Sequence, residues 1–109
     1  MARTRICAPY TADYKTVSSY VERFLIDEGF SPKDYHGEQV WKKGTGIATA
    51  MQYVKIEYTE NGAVIYAWIQ AGVGNVGGKE MDLTGIYGAV PKRNLLKRIQ
   101  KLESIIKSL

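Results

Sequence analysis

The chain has one cysteine, Cys7, and one histidine, His36, among its 109 residues. A single thiol cannot form an intramolecular disulfide, and secreted domains of this size commonly carry several, so a reducing, cytoplasmic setting is expected. The same scarcity nearly excludes a structural zinc site, which takes four ligands drawn from Cys and His, and no metal or other cofactor is expected. A Cys–His nucleophile pair remains open chemically, but nothing in the pattern brings Cys7 and His36 together. Long apolar runs are also missing. No stretch approaches the roughly 20 residues that a membrane-spanning helix needs, and the opening MARTRICAPY lacks the apolar core of a signal peptide. A soluble protein without membrane association is the expectation.

What is present suits a folded domain. Hydrophobic residues make up 45% of the chain, far from the depleted and highly charged composition of disorder. At this length a single domain can bury roughly two thirds of the surface that its unfolded chain exposes. One α+β domain over residues 1–109 is expected, with residues 1–10 loosely ordered.

Charge is unevenly placed. The net charge of +4 comes from 15 basic and 11 acidic residues. Residues 91–109 contribute Lys92, Arg93, Lys97, Arg98, Lys101 and Lys107 against Glu103 alone, so this segment is strongly basic and the remainder nearly neutral. An anionic partner at that segment is therefore conceivable without labelling the whole protein nucleic-acid binding.

The period of the apolar residues sets the elements. Thr11 or Asp13 can cap a helix whose apolar positions are Tyr14, Val17, Val21, Phe24 and Leu25, with Gly29 as its left-handed stop and Phe30 folding back on the last turn. Ser31-Pro32 and His36-Gly37 then bracket a connecting loop. From Glu38 the period becomes two. Strands are expected at 38–43, 50–59, 63–71 and 80–87, with Asn61-Gly62 as a type I′ hairpin turn. Pro91 opens a final helix whose apolar face is Leu95, Leu96, Ile99, Leu102, Ile106 and Leu109. The order α-β-β-β-β-α implies a four-stranded antiparallel meander with both helices on one face.

Three constellations could carry function. Gly72, Gly74 and Gly77 spell G-x-G-x-x-G, followed by Gly78, but a dinucleotide site needs that loop to open a helix, whereas here it precedes a strand. The phosphate-binding P-loop pattern also fails, because Val73 replaces its first glycine and Glu80 follows Lys79. A flexible hairpin loop is the plainer reading, with a flap over a bound molecule as the alternative.

Lys92 and Arg93 stand at the start of the last helix, against its dipole, where an anion would relieve them. Arg93, Lys97 and Lys101 recur every four residues and share one face. That face reads as solvated by default, or as a docking stripe for phosphates or an acidic protein.

If Val54, Ile56, Ile65, Ala67 and Ile69 face the helices, Tyr53, Tyr66 and Trp68 point to the other side of the sheet, with Trp41 joining them. Such rings pack on one another, bury against another protein, or stack on unpaired bases. For catalysis the carboxylates near strands are Glu57, Glu60, Glu80 and Asp82, but no nucleophile–base motif accompanies them, so an enzyme is the least supported class.

These residues also carry a resemblance. Phe24-Leu25 with Glu28-Gly29-Phe30, the run from Tyr35 through Trp41 to Gly46, Ala67-Trp68, Gly78 through Gly85, and Gly88 through Lys92 resemble a family of uncharacterised bacterial domains, mainly of Firmicutes, that often follow an N-terminal zinc ribbon. The likeness spans nearly the whole chain. It implies an accessory or binding module joined to other parts, but no catalytic residues, and the cysteine set of a zinc ribbon is absent here. The functional expectation is a noncatalytic module that binds an intracellular protein or a second copy of itself. The alternative is an anion or single-stranded nucleic-acid binder using the basic helix and the aromatic sheet face.

Overall fold

A computed structural model describes residues 3–44, 51–70, 80–81 and 89–109. In chain order the elements are β1 (Thr4–Ala8), α1 (Tyr14–Asp27), β2 (Ser31–Tyr35), β3 (Glu38–Lys43), β4 (Met51–Thr59), β5 (Gly62–Gln70), the two-residue β6 (Glu80–Met81) and α2 (Ala89–Lys107). The fold is α+β with an antiparallel sheet, as expected, but the sheet runs through five strands in the order β1-β5-β4-β3-β2. β6 is a short addition that pairs with β5 at Ile69 and Gln70, beyond the stretch that β1 covers.

Two strands differ from the sequence reading. Thr4–Ala8 is not loose. It pairs with Ala63–Ala67 of β5 and places Ile6 and Ala8 in the main core. Ser31–Tyr35 is not a loop but the edge strand opposite β3, and its exposed Ser31, Pro32, Lys33 and Asp34 blunt that edge against pairing with other chains. Of the strand expected at 80–87, Glu80–Met81 lies within the described residues and the remainder falls outside them.

The turns exchange roles in a similar way. His36 and Gly37 form the two-residue β2–β3 loop with φ of 52° and 87°, the positive angles of a type I′ turn, and Asp34 Oδ1 accepts from the Gly37 amide at 2.8 Å. In the β4–β5 hairpin Thr59 pairs with Gly62, so Glu60 and Asn61 are the loop residues, and Asn61 does not take a positive φ. The type I′ turn expected at Asn61-Gly62 is therefore not formed. Gly62 is needed for other reasons. Its φ is 138°, and a Cβ there would lie 2.7 Å from both the Ala8 carbonyl oxygen and the Pro9 Cα. The end of β1 can approach β5 only because position 62 has no side chain.

Both helices lie on one sheet face. α1 is capped by Asp13, whose Oδ1 accepts from the Thr16 amide at 2.8 Å. It stops in a Schellman arrangement, with Phe30 N–H bonding to the Leu25 carbonyl at 2.9 Å and Gly29 N–H to that of Ile26 at 3.0 Å. Phe30 is consequently buried in the core. Val17, Val21 and Leu25 of α1 and Leu95, Ile99, Leu102 and Ile106 of α2 pack with Val54, Ile65, Ala67 and Ile69 of the sheet. The helices run antiparallel, as shown by Arg98 beside Glu28 at 3.7 Å, Lys101 over the Phe24 ring at 6.0 Å, and Thr11 bonded to the Leu109 carbonyl at 3.3 Å.

Candidate functional site

Part of the opposite face of the sheet, around Tyr53 and Trp68, is buried by the chain itself, whereas Arg5, Cys7 and Glu57 on the same face are exposed. β3 pairs with β4 only through Trp41–Lys43, so the first half of β3 and the paired β2 depart from the plane. In a flat sheet β1 and β3 would stand three strand spacings apart, about 14 Å. Here the Arg3 side chain, just before β1, reaches Glu38 at the start of β3, with Nη1 donating to Oε1 at 3.0 Å and Nη2 to Oε2 at 2.8 Å. The sheet coils, and the β2–β3 tip closes over β4 and β5.

Beneath this closure lies a second apolar cluster of Tyr35, Val40, Tyr53 and Trp68. Tyr53 and Trp68 are opposite one another in the β4–β5 register and stack at 5.3 Å with 7° between their planes. Tyr35 leans on both, at 4.8 Å and 5.5 Å, and its hydroxyl accepts from Gln70 Nε2 at 3.0 Å. The Arg3 guanidinium lies 3.8 Å from the Trp68 ring centroid. Trp68 is wholly inaccessible and Tyr53 is 4% exposed, so burial pushes the Tyr53 phenol up from its ordinary pKa.

Glu38 is the electrostatic centre of this cluster. It takes both guanidinium nitrogens of Arg3 and, at 2.8 Å, the ammonium of Lys55, which also lies 3.4 Å from Glu57. Hydrogen bonds from Arg3 and Lys55, and their positive charge, hold the Glu38 carboxyl down to about 2. Lys55 is raised in turn, chiefly by its bond to Glu38.

The residues expected to form an aromatic binding face are therefore divided. Tyr53 and Trp68 do come together, but inside the molecule. Tyr66 is partly buried against the same cluster. Trp41 is on the other side of the sheet, half-buried against the helix-side core, because its register partner is Val54. Instead of an open platform these rings form a closed, packed cluster whose third member, Tyr35, lies in the segment expected to be a loop. Its signal was the His36-Gly37 dipeptide, a turn pair that makes Tyr35 and Glu38 strand residues. No local signal marked Arg3.

The basic set divides too. Lys92 is 6% exposed and engaged, and so does not belong to an open anion site. Arg93, Lys97 and Lys101 are exposed in line along α2 over about 12 Å. Arg98 and Lys107 are matched by Glu28 and Glu103, whereas Arg93, Lys97 and Lys101 have no carboxylate within ion-pair distance among the described residues. The four leucine and isoleucine side chains buried on the opposite side of α2 contribute roughly 1.5–3 kcal/mol each. Repulsion along the stripe costs only a few tenths per pair, so the helix carries it without strain on the fold.

Among the suggested catalytic carboxylates, Glu57 is engaged by Lys55 and Glu60 sits exposed in the β4–β5 turn. The side chains of Glu80 and Asp82, and the glycines Gly72, Gly74, Gly77 and Gly78, lie outside the described residues. Among the described residues no three His, Cys, Asp or Glu side chains gather as a metal would require, and no helix is long and apolar enough to cross a membrane. Comparison with protein-family models, curated proteins and solved structures finds no match.

Proposed function

We propose that this domain is a noncatalytic binding module that docks an acidic protein through the basic stripe of α2. The observation that carries this reading is the line of three exposed, unmatched cations, Arg93, Lys97 and Lys101, on a helix fixed by the burial of Leu95, Ile99, Leu102 and Ile106. A matched surface, such as Lys107 beside Glu103 at 2.9 Å, offers an incoming anion less. Protein is favoured over single-stranded nucleic acid because the rings that would stack on bases, Tyr53 and Trp68, are buried. The single cysteine suits a reducing, intracellular setting for the partner. The resemblance to the Firmicutes domain family points the same way, since it implies an accessory module.

The test is fluorescence anisotropy with labelled poly-glutamate and a labelled oligo-thymidylate of similar length, on the wild type and an Arg93→Glu/Lys97→Glu/Lys101→Glu variant. Poly-glutamate binding is expected at low salt, falling steeply as salt rises, with at least tenfold loss in the variant. Equal binding by wild type and variant would refute the stripe, and preference for the oligonucleotide would refute the choice of a protein partner.

A further inference from the structure

Arg3 sits in the second cluster as a bound ligand would. Its planar cation is stacked on the indole of Trp68 at 3.8 Å, lies 5.9 Å from the Tyr35 centroid, and is gripped by both oxygens of Glu38. Stacking on an aromatic face together with a two-pronged carboxylate contact suits a guanidinium, since an ammonium has no planar fork to match. Among the described residues two rings and one carboxylate meet the cation, with Tyr35 beside it and Tyr53 stacked on the indole.

Two features set this arrangement apart from a simple packed core. Trp68 Nε1 is buried without a hydrogen-bond partner among the described residues, a donor that no guanidinium can satisfy and that a backbone carbonyl of an incoming arginine peptide can accept. Arg3 also immediately precedes the first residue of β1, a strand that lies at the sheet edge. Strand ends of this kind open locally at far lower cost than the core. The site can therefore be vacated without unfolding the main cluster on the helix side.

We propose that the pocket of Tyr35, Tyr53 and Trp68, with Glu38 on its rim, is a guanidinium-binding site that Arg3 fills at rest, and that its exchange ligand is an arginine side chain of a partner peptide. The tether keeps Arg3 at high effective concentration, so the intact chain conceals the site and removal of the Arg3 side chain reveals it. The site is separate from the α2 stripe and has the opposite charge preference.

The experiment uses the full chain with Trp41→Phe, so that emission reports Trp68 alone, with and without Arg3→Ala. N-acetyl-argininamide is titrated, with N-acetyl-lysinamide and sodium chloride as controls. The Arg3→Ala chain is expected to respond saturably to the arginine probe, at least tenfold more tightly than the chain that keeps Arg3 and at least tenfold more tightly than to the lysine probe. Adding Glu38→Gln should abolish the response. No saturable response, or equal responses to both probes or to salt, overturns the proposal. Should Arg3→Ala fail to fold, Arg3→Lys keeps a cation without the fork. Its melting temperature should rise with the arginine probe and not with the lysine probe, and no such difference also overturns the proposal.

Discussion

Replacing Glu38 with glutamine removes a negative charge that Arg3 and Lys55 share while keeping the side-chain shape. The carboxyl is held at about 2 against an ordinary 4.5, because the folded state binds its charged form. Converted without loss, that difference amounts to roughly 3 kcal/mol. Glu38 keeps 27% of its side-chain exposure, however, and solvent screens the pair. About 1–2 kcal/mol is the expected contribution at pH 7. The direction follows from linkage. A depressed folded pKa gives stability that is fully present above the unfolded value of 4.5 and is lost as pH falls through about 2. More than half should already be gone by pH 3. Urea unfolding of wild type and Glu38→Gln, followed by tryptophan emission between pH 7 and pH 3, measures the gap directly, since other titrating groups are common to both proteins. At pH 7 the midpoint should fall by roughly 0.5–1.5 M in the variant. A gap that is absent at pH 7, or that keeps its full size at pH 3, would refute the assignment of Glu38 as the charged centre of the closure.

Two further substitutions test the turns. Gly62→Ala places a methyl group within 2.7 Å of the Ala8 carbonyl oxygen and of Pro9, at a φ of 138°. A loss of about 3 kcal/mol or more is expected, with β1 amides losing hydrogen-exchange protection first, and a loss under 1 kcal/mol would show that β1 does not depend on that approach. His36→Asn keeps the positive φ of 52° with a residue that tolerates it better. It should raise stability by a few tenths to about 1 kcal/mol by thermal melting, and any clear loss would mean that the His36 ring, 4.6 Å from that of Tyr35, contributes more than the backbone angle costs.

The coiling of the sheet connects the fold to both proposals. On the helix side it leaves a broad apolar surface that fixes α2, and thereby the direction in which Arg93, Lys97 and Lys101 point. On the other side it converts what would be an exposed row of rings into a pocket closed by Arg3 and Glu38. A binding face built on Tyr53 and Trp68 thus has to be reached by opening the chain, whereas the α2 stripe is open as it stands.

Much of the fold was legible in the sequence because it depends on local chemistry. The apolar spacing of Val17, Val21 and Leu25, the cap at Asp13 and the stop at Gly29-Phe30 describe α1 without reference to anything distant. Alternation in β4 groups Val54 and Ile56 on one side, but β5 is apolar on both sides, and only the structure shows that Val54, Ile65, Ala67 and Ile69 meet the helices. The basic stripe of α2 followed from a four-residue repeat. Tertiary structure alone decided the rest. Thr4–Ala8 becomes a strand through pairing with residues some sixty positions away, made possible by the missing side chain of Gly62. Ser31–Tyr35 is too polar to announce itself and is held as a strand by the turn at His36-Gly37 and by β3. Trp41 lies on the helix side and not with Tyr53 and Trp68, because the phase of a short strand is fixed by its partner, here Val54, and not by its own pattern. Above all, alternation tells which residues share a face but not whether the sheet bends. The curvature that brings Arg3 to Glu38 and buries Trp68 arises from contacts between strands that are not neighbours, and no local pattern in the chain encodes it.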